Sequence, residues 1–559
     1  MLTRVTSVFD RTVLVLAAPG FIELNEAALS CGAIVFLGLA GQEAGGALAD
    51  VLTAKVMPAG HLSFSWPEHA EAFSDASAAA DQFTGYRYFD SFGVPVRYPF
   101  GHGLSYGTVA FGSVSAGLDG CDVTVSAELV NTGEEFAASE LVQVYVTRPE
   151  GDLTRPVSFL DCFQKSRLLA PGESQTVTLR FPITELSVYR EHAHAFVLDA
   201  GYYDIRIGTS SRACYLAGSI RLTRSAVVQA AEPLTLSAAQ ERTRPENVCF
   251  QFPEDLAEIE QAHKHAIRFS DRNLPRRSRR KGREFTGCRP DGAHHTLADV
   301  REGRCSVFHL VADMDTENLE RLVCGFGREA ASVPGALGAS AAIERYGIPA
   351  VQIAGGAQGL RLLRDIPDEE TGEIVRRQCA TVFPAPAQLA CSFDQEVVRA
   401  VGRAVGLEMA ELGVQLWLGP DAGVMRTPQE ARFAEKWSEE PVVCGAMTAA
   451  LAAGAWPYGT AALHAQSLPE TVSVSQSALR DVYGLPFEIA ANSCRAAKLP
   501  DCAISGQRLT ENSPLLRAWL LDCGYGGMLW GDETPGSDRI GLEKAAIRIL
   551  KWMLQAKKL

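Results

Sequence analysis

A carboxylate just past a short apolar strand is the side chain in this sequence with the best placement for chemistry. Met528-Leu529-Trp530 is a continuous apolar run, as in a strand buried on both faces. Asp532 follows it. A helix-like run, Ser513 to Cys523, stops before it at Gly524, a residue suited to the left-handed turn after a helix. In an α/β barrel the C-terminal ends of the strands face the active site, so an acid there can act as nucleophile or general base. The other reading is that Asp532 caps a turn, because Glu533-Thr534-Pro535-Gly536 is turn chemistry. Position alone leaves both open.

The whole chain narrows the classes. At 559 residues it is too long for one domain and suggests three or four. A net charge of −14 argues against a general nucleic-acid binder. No apolar run approaches the ~20 residues of a membrane helix, and Val13 to Ala18 reads as a buried strand rather than a leader, since Asp10 interrupts it. The 14 cysteines are scattered with no CxxC pair, so neither a zinc site nor a disulfide framework is expected. A reducing cytoplasm is the simplest setting. Nothing calls for a cofactor or a metal.

The elements that must position Asp532 follow in chain order. Residues 1–80 read as α/β, with strands at Val13–Ala17 and Ala33–Leu37 and a glycine-rich loop opening a helix between 41 and 52. Residues 109–224 alternate as antiparallel strands, for example Val123 to Leu129 and Leu141 to Val146, with turns at Asn131-Thr132-Gly133 and Ala170-Pro171-Gly172-Glu173. That pattern makes a β-sandwich. Residues 225–295 lose periodicity and read as a linker, with a basic stretch from Arg272 to Arg283. From 296 on, strand and helix signals alternate. Ile348 to Ala354 is a strand. Ser392-Phe393-Asp394-Gln395 has capping-box spacing, and Val397, Val401, Ala404, Val405 and Leu412 mark one helical face ended by Gly413. Val414 to Leu418 is the next strand, and Leu542 to Leu554 a closing helix. Such repeats imply a parallel sheet, and about 265 residues suit a barrel.

Several runs together resemble glycoside hydrolase family 3, the β-glucosidase family. Gly85 to Tyr106, reading GYRYFD…PFGHGLSY, and GQEAGGALADVL match its α/β-sandwich domain. LLAPGESQTVTL and LDAGYYDIRIG resemble its fibronectin type III-like domain. VPGALGASAAIERYGIPAV, TVFPAPAQLACSFD, MRTPQEARFAEKWSEEP and ALRDVYGLPFEIA resemble its catalytic barrel. The resemblance implies an α/β multidomain protein in reversed order: a partial α/β sandwich over 1–108, a fibronectin type III-like β-sandwich over 109–224, the linker over 225–295, and a TIM-like (β/α) barrel over 296–559, expected to be incomplete.

A retaining glycosidase needs two carboxyl groups about 5–5.5 Å apart, one nucleophile and one acid/base. The family's nucleophile closes a Gly-Phe-Asp-Gly-x-x-x-Ser-Asp-Trp run, which Gly524 to Glu533 matches without a gap, so the resemblance makes Asp532 the nucleophile. The run also departs from the pattern, with Gly526, Gly531 and Glu533 where Asp, Ser and Trp stand. A second anion at Glu533 would raise the pKa of Asp532. The Arg-Asn-Phe-Glu-x-Phe-Ser-Glu-Asp-Pro run matches Arg432, Glu435, Ser438, Glu439 and Pro441, which implies that Arg432 grips sugar hydroxyls; a salt bridge within the barrel is the alternative. The Lys-His pair aligns to Leu463-His464, so only His464 remains, as a sugar contact or a core histidine. The Asp-Gly-Pro loop aligns to Gly355-Gly356-Ala357, without its aspartate. The acid/base glutamate is expected upstream of the segment matching Val13 to Ala17 and is missing; Glu43 and Glu435 are the substitutes on offer.

The expectation is therefore a β-glucosidase-like protein that hydrolyses terminal β-D-glucosyl or related residues with retention, weakly. The alternative is an inactive remnant that binds carbohydrate or acts as a scaffold. Partners are a β-glucoside or oligosaccharide and a second copy in a homo-oligomer, with no nucleic acid and no membrane.

Overall fold

The computed structural model describes residues 2–151, 154–234, 242–245, 249–252, 254, 256–275, 285–368, 370–430, 432–464, 473–498, 503–504, 507–508, 525, 527–530 and 539–556. The chain opens with two short parallel strands, Val13–Leu16 and Ala33–Phe36, paired in register from Val13 with Ala33 to Leu16 with Phe36. The helix Ala44–Leu52 follows. The core beneath them is aromatic and shared: Phe64 and Trp66 pack with Leu16 and Leu24, and also with Met425 and Phe433 from far along the chain.

Two antiparallel sheets then face each other. One holds Val109–Asp119, Asp122–Asn131 and Ser174–Pro182. The other has five strands and includes Leu141–Thr147, Gly201–Ser210 and Ala213–Leu222. Alternation drives this pairing. Along Asp122–Asn131, Val123, Val125, Ala127 and Leu129 are fully buried against Val142, Val144, Ile205 and Ile207 of the opposite sheet. Residues 225–295, expected as a linker, add to this body. Ala226–Ala230 is a strand, Leu256–Lys264 a helix, and Ile267–Phe269 pairs in parallel with Ala213–Leu222. A three-residue strand is too short to show a period, so nothing in the sequence marks it. The basic stretch lies outside the described residues from 276 to 283.

The C-terminal part is built on seven strands in the order Phe326–Gly327, Gly338–Ser340, Gln352–Gly355, Leu416–Asp421, Thr460–His464, Ala496–Lys498 and Met528–Trp530. The last five run parallel. Between them run Gln395–Leu412, Pro441–Ala455 and Leu485–Ala490, and Arg539–Gln555 follows the last. Where the sequence leads us to expect a barrel, the described residues form an open sheet whose two outer strands do not pair.

The long helix also differs from its expected face. Asp394 caps it, accepting from the N–H groups of Glu396 and Val397, and Gly413 ends it at φ +77°. The buried residues are Val398, Gly402, Val405, Gly406 and Met409, while Val397 is exposed. Glycine decides the rotation. A Cβ on Gly402 would stand 2.1 Å from the carbonyl oxygen of Leu451, and one on Gly406 2.5 Å from that of Ala455. The two helices thus touch through their backbones.

Candidate functional site

A cavity of about 1420 Å³ lies over the carboxyl ends of the strands Gln352–Gly355 and Leu416–Asp421. Gly355, Leu418 and Gly419 form part of its floor, and Pro19, Gly20 and Phe21 of the first α/β region form one wall. Ligands of parallel α/β sheets bind at this end. The floor loop is tight. Arg361 donates its N–H to the carbonyl of Gly355 at 2.7 Å, and the indole N–H of Trp417 reaches the carbonyl of Gly356 at 2.8 Å. Gly356 sits at φ +128°, and a Cβ there would meet the carbonyl of Gly359 at 2.3 Å, so only glycine fits. The loop presents no carboxylate where the sugar-holding aspartate was expected; it leads instead to Arg361 and Arg364, both on the cavity wall.

Arg432 and Glu435 stand on the opposite side of the same cavity. A short 3-10 turn, Phe433–Glu435, carries them, and Phe433 anchors that turn in the aromatic core against Phe64. The Arg432 Nε donates to Glu435 Oε2 at 2.7 Å, with both side chains partly open to the cavity. The salt bridge and the cavity position thus coexist. Glu430 also lines the cavity and receives Lys436 Nζ at 2.5 Å. Of the two substitute acids, Glu435 lines the cavity and Glu43 does not; Glu43 is exposed at the start of the Ala44–Leu52 helix.

His464 closes the strand Thr460–His464, with its backbone opposite Asp421 on one side and Lys498 on the other; its side chain lies outside the described residues. So does Asp532 altogether, although the strand Met528–Trp530 leading to it pairs with Ala496–Lys498 as the parallel pattern requires.

The sequence reading missed Asp421. It ends the strand Leu416–Asp421, is 7% exposed, and accepts from the Gly423 N–H at 2.7 Å. Burial raises its pKa, partly countered by the nearby Lys436 ammonium. The expected strand, Val414 to Leu418, stops three residues short of Asp421, and Asp421 is not among the residues that line the cavity.

The other acids of the SEEP run do something different. Glu439 accepts from the Ser65 N–H at 2.9 Å, the Ser65 hydroxyl at 2.7 Å and the Tyr86 N–H at 2.8 Å. Glu440 takes Arg87 Nη2 at 2.7 Å and the Tyr86 hydroxyl at 2.7 Å. That hydroxyl accepts from the N–H of Leu160 in the β-sandwich. Arg87, Glu439 and Glu440 are each at most 2% exposed. This cluster joins all three parts of the chain and belongs to their packing, not to the cavity.

Comparison with known proteins gives three domain matches. Residues 1–106 match the glycosyl hydrolase family 3 C-terminal domain, 140–211 the fibronectin type III-like domain, and 350–533 the glycosyl hydrolase family 3 N-terminal domain. Beta-glucosidase A of Butyrivibrio fibrisolvens is 27% identical over 552 residues, covering 88% of this chain and 64% of that protein. A beta-glucosidase of Ruminococcus albus is 28% identical over 538 residues, covering 89% of this chain and 53% of that protein. The chain thus spans between half and two thirds of these relatives. A beta-glucosidase structure from Paenibacillus barengoltzii superposes with a TM-score of 0.80 at 23% identity, over 100% of this chain and 68% of that one, which shows a shared fold.

Proposed function

Since the chain belongs to glycoside hydrolase family 3, with its domains in reversed order, we propose that the cavity over the strand ends binds a β-glucoside and hydrolyses it weakly with retention. Asp532 is the nucleophile in this reading, Arg432 holds sugar hydroxyls, and His464 is a further contact. The domain limits are those expected above, with parts of 225–295 added to the β-sandwich, and the open seven-stranded sheet is an incomplete barrel. A cytoplasmic location rests on the cysteine spacing alone. The observation that carries the reading is the joint position of Arg432 and Glu435 on one cavity wall at the carboxyl ends of parallel strands.

Weak turnover follows from what the cavity lacks. The floor loop has no carboxylate to bind hydroxyls, and Glu435, the substitute acid on the cavity wall, is already engaged by Arg432. Loss of general acid catalysis removes about 10²–10⁴ in rate. The test is hydrolysis of an aryl β-glucoside by the purified chain. Slow release abolished by Asp532→Asn supports the reading, and turnover untouched by that change refutes it. The same floor loop favours a second reading, a carbohydrate binder without chemistry. Gluconolactone binding with no measurable hydrolysis would select it.

A further inference from the structure

The charges around the cavity do not match a neutral sugar. Six charged side chains line the cavity: Arg328, Arg361, Arg364 and Arg432, with Glu430 and Glu435. Both acids are engaged, Glu435 by Arg432 and Glu430 by Lys436. The side chains of Arg328, Arg361 and Arg364 have no acidic partner among the described residues, although the chain as a whole carries −14. On so acidic a protein, three guanidinium groups in one concavity without an acidic partner among the described residues make a local positive field, because charges beyond about 10 Å are screened.

These arginines are also held on fixed backbone. The loop at 334–335 and the segment 361–364 are locked together. Leu363 donates its N–H to the carbonyl of Pro334, and the buried amide of Gln378 donates to the carbonyls of both Pro334 and Leu363, at 2.8 and 2.7 Å. The Gln378 N–H reaches the carbonyl of Arg364 at 2.9 Å. Gly335, at φ +79°, lets the two backbones meet, since a Cβ there would stand 2.1 Å from the Leu363 nitrogen. A platform of this kind loses little freedom on binding, and guanidinium forks match carboxylate and phosphate oxygens.

We propose that the cavity selects a sugar carrying an anionic group, a carboxylate or a phosphate ester, which Arg361, Arg364 and Arg328 hold. The proposal rests on the cavity being the glycoside site and names its substrate class. The Gly355-Gly356-Ala357 loop fits this view. It removes a carboxylate that would repel the ligand, and the same segment supplies two cations.

Calorimetric titration of the full chain with glucose, glucuronate and glucose 6-phosphate at low salt tests it. Expected is at least tenfold tighter binding of one or both anionic sugars than of glucose, lost in R361Q/R364Q and weakened at 0.5 M salt. The arm that binds identifies the anion. The variant R376Q, on an exposed strand outside the cavity, should keep the preference. Equal binding of glucose and the anionic sugars overturns the proposal and leaves the glycoside site standing. So does a preference that survives R361Q/R364Q or falls equally in R376Q. No binding of any sugar overturns both.

Discussion

Two polar regions of this molecule, both built from family motifs, obey opposite rules. The cluster of Ser65, Tyr86, Arg87, Glu439 and Glu440 is buried, and each of its carboxylates takes several donors. The cavity a few residues away along the chain, at Arg432 and Glu435, is open, with cations to spare. A buried charge must be matched at once or the fold pays several kcal/mol. A charge facing water can wait for a ligand. Matched charge thus marks residues that hold the domains together, and lack of an acidic partner marks residues free to recognise something.

The sharpest way to break that contrast is to remove one side of the buried pair. Arg87→Met leaves Glu440 without its guanidinium in a place that is 0% exposed. We expect a loss of about 3–5 kcal/mol in denaturant unfolding. A loss below about 1 kcal/mol would show the cluster to be no more than a surface-like pair.

Next comes the helix contact, which also shows what the sequence could and could not tell. Strands at Val13–Leu16 and Ala33–Phe36 are readable as short continuous apolar runs, and those of the β-sandwich because side chains alternate between core and surface. The face of Gln395–Leu412 is not, because Gly402 and Gly406 bury backbone and leave no apolar side chain to count. The Arg87–Glu440 pair spans 353 positions, so no local pattern reports it; only whole motifs did. The cavity arginines sit on loops without a period, and their shared wall appears only in three dimensions. Gly402→Ala tests the helix contact. Helix propensity favours alanine by about 1 kcal/mol, but the added carbon has no room against Leu451, and overpacking costs up to about 3 kcal/mol. A net loss of about 2 kcal/mol is expected in the same unfolding assay.

The cluster should also show itself through pH. Burial pushes Glu439 from 4.5 up to about 7, with the Ser65 and Tyr86 donors pulling the other way. A raised carboxyl pKa means the folded state binds more protons than the unfolded one between those values. Its contribution therefore favours folding at acid pH and is lost as pH rises through about 7. Glu439→Gln cannot titrate. The stability difference between the native chain and this variant should fall by about 3 kcal/mol from pH 4.5 to 7.5. A flat difference would mean the three donors balance burial, and a rising one that they outweigh it.

The smallest stability effect belongs to the cavity. The Arg432–Glu435 pair is partly open, with side chains 61% and 36% exposed, and such pairs contribute about 0–1 kcal/mol. Arg432→Gln should leave thermal unfolding nearly unchanged while weakening sugar binding about tenfold, since hydrogen bonds from a charged donor to a ligand are worth about 1.5–3 kcal/mol. Arg87→Met should do the reverse, destabilising the chain while the protein that remains folded binds sugar as before. If Arg432→Gln instead lowers stability as much as Arg87→Met does, the cavity pair is a structural strut. The division between matched and waiting charges would then fail at the site where it matters most.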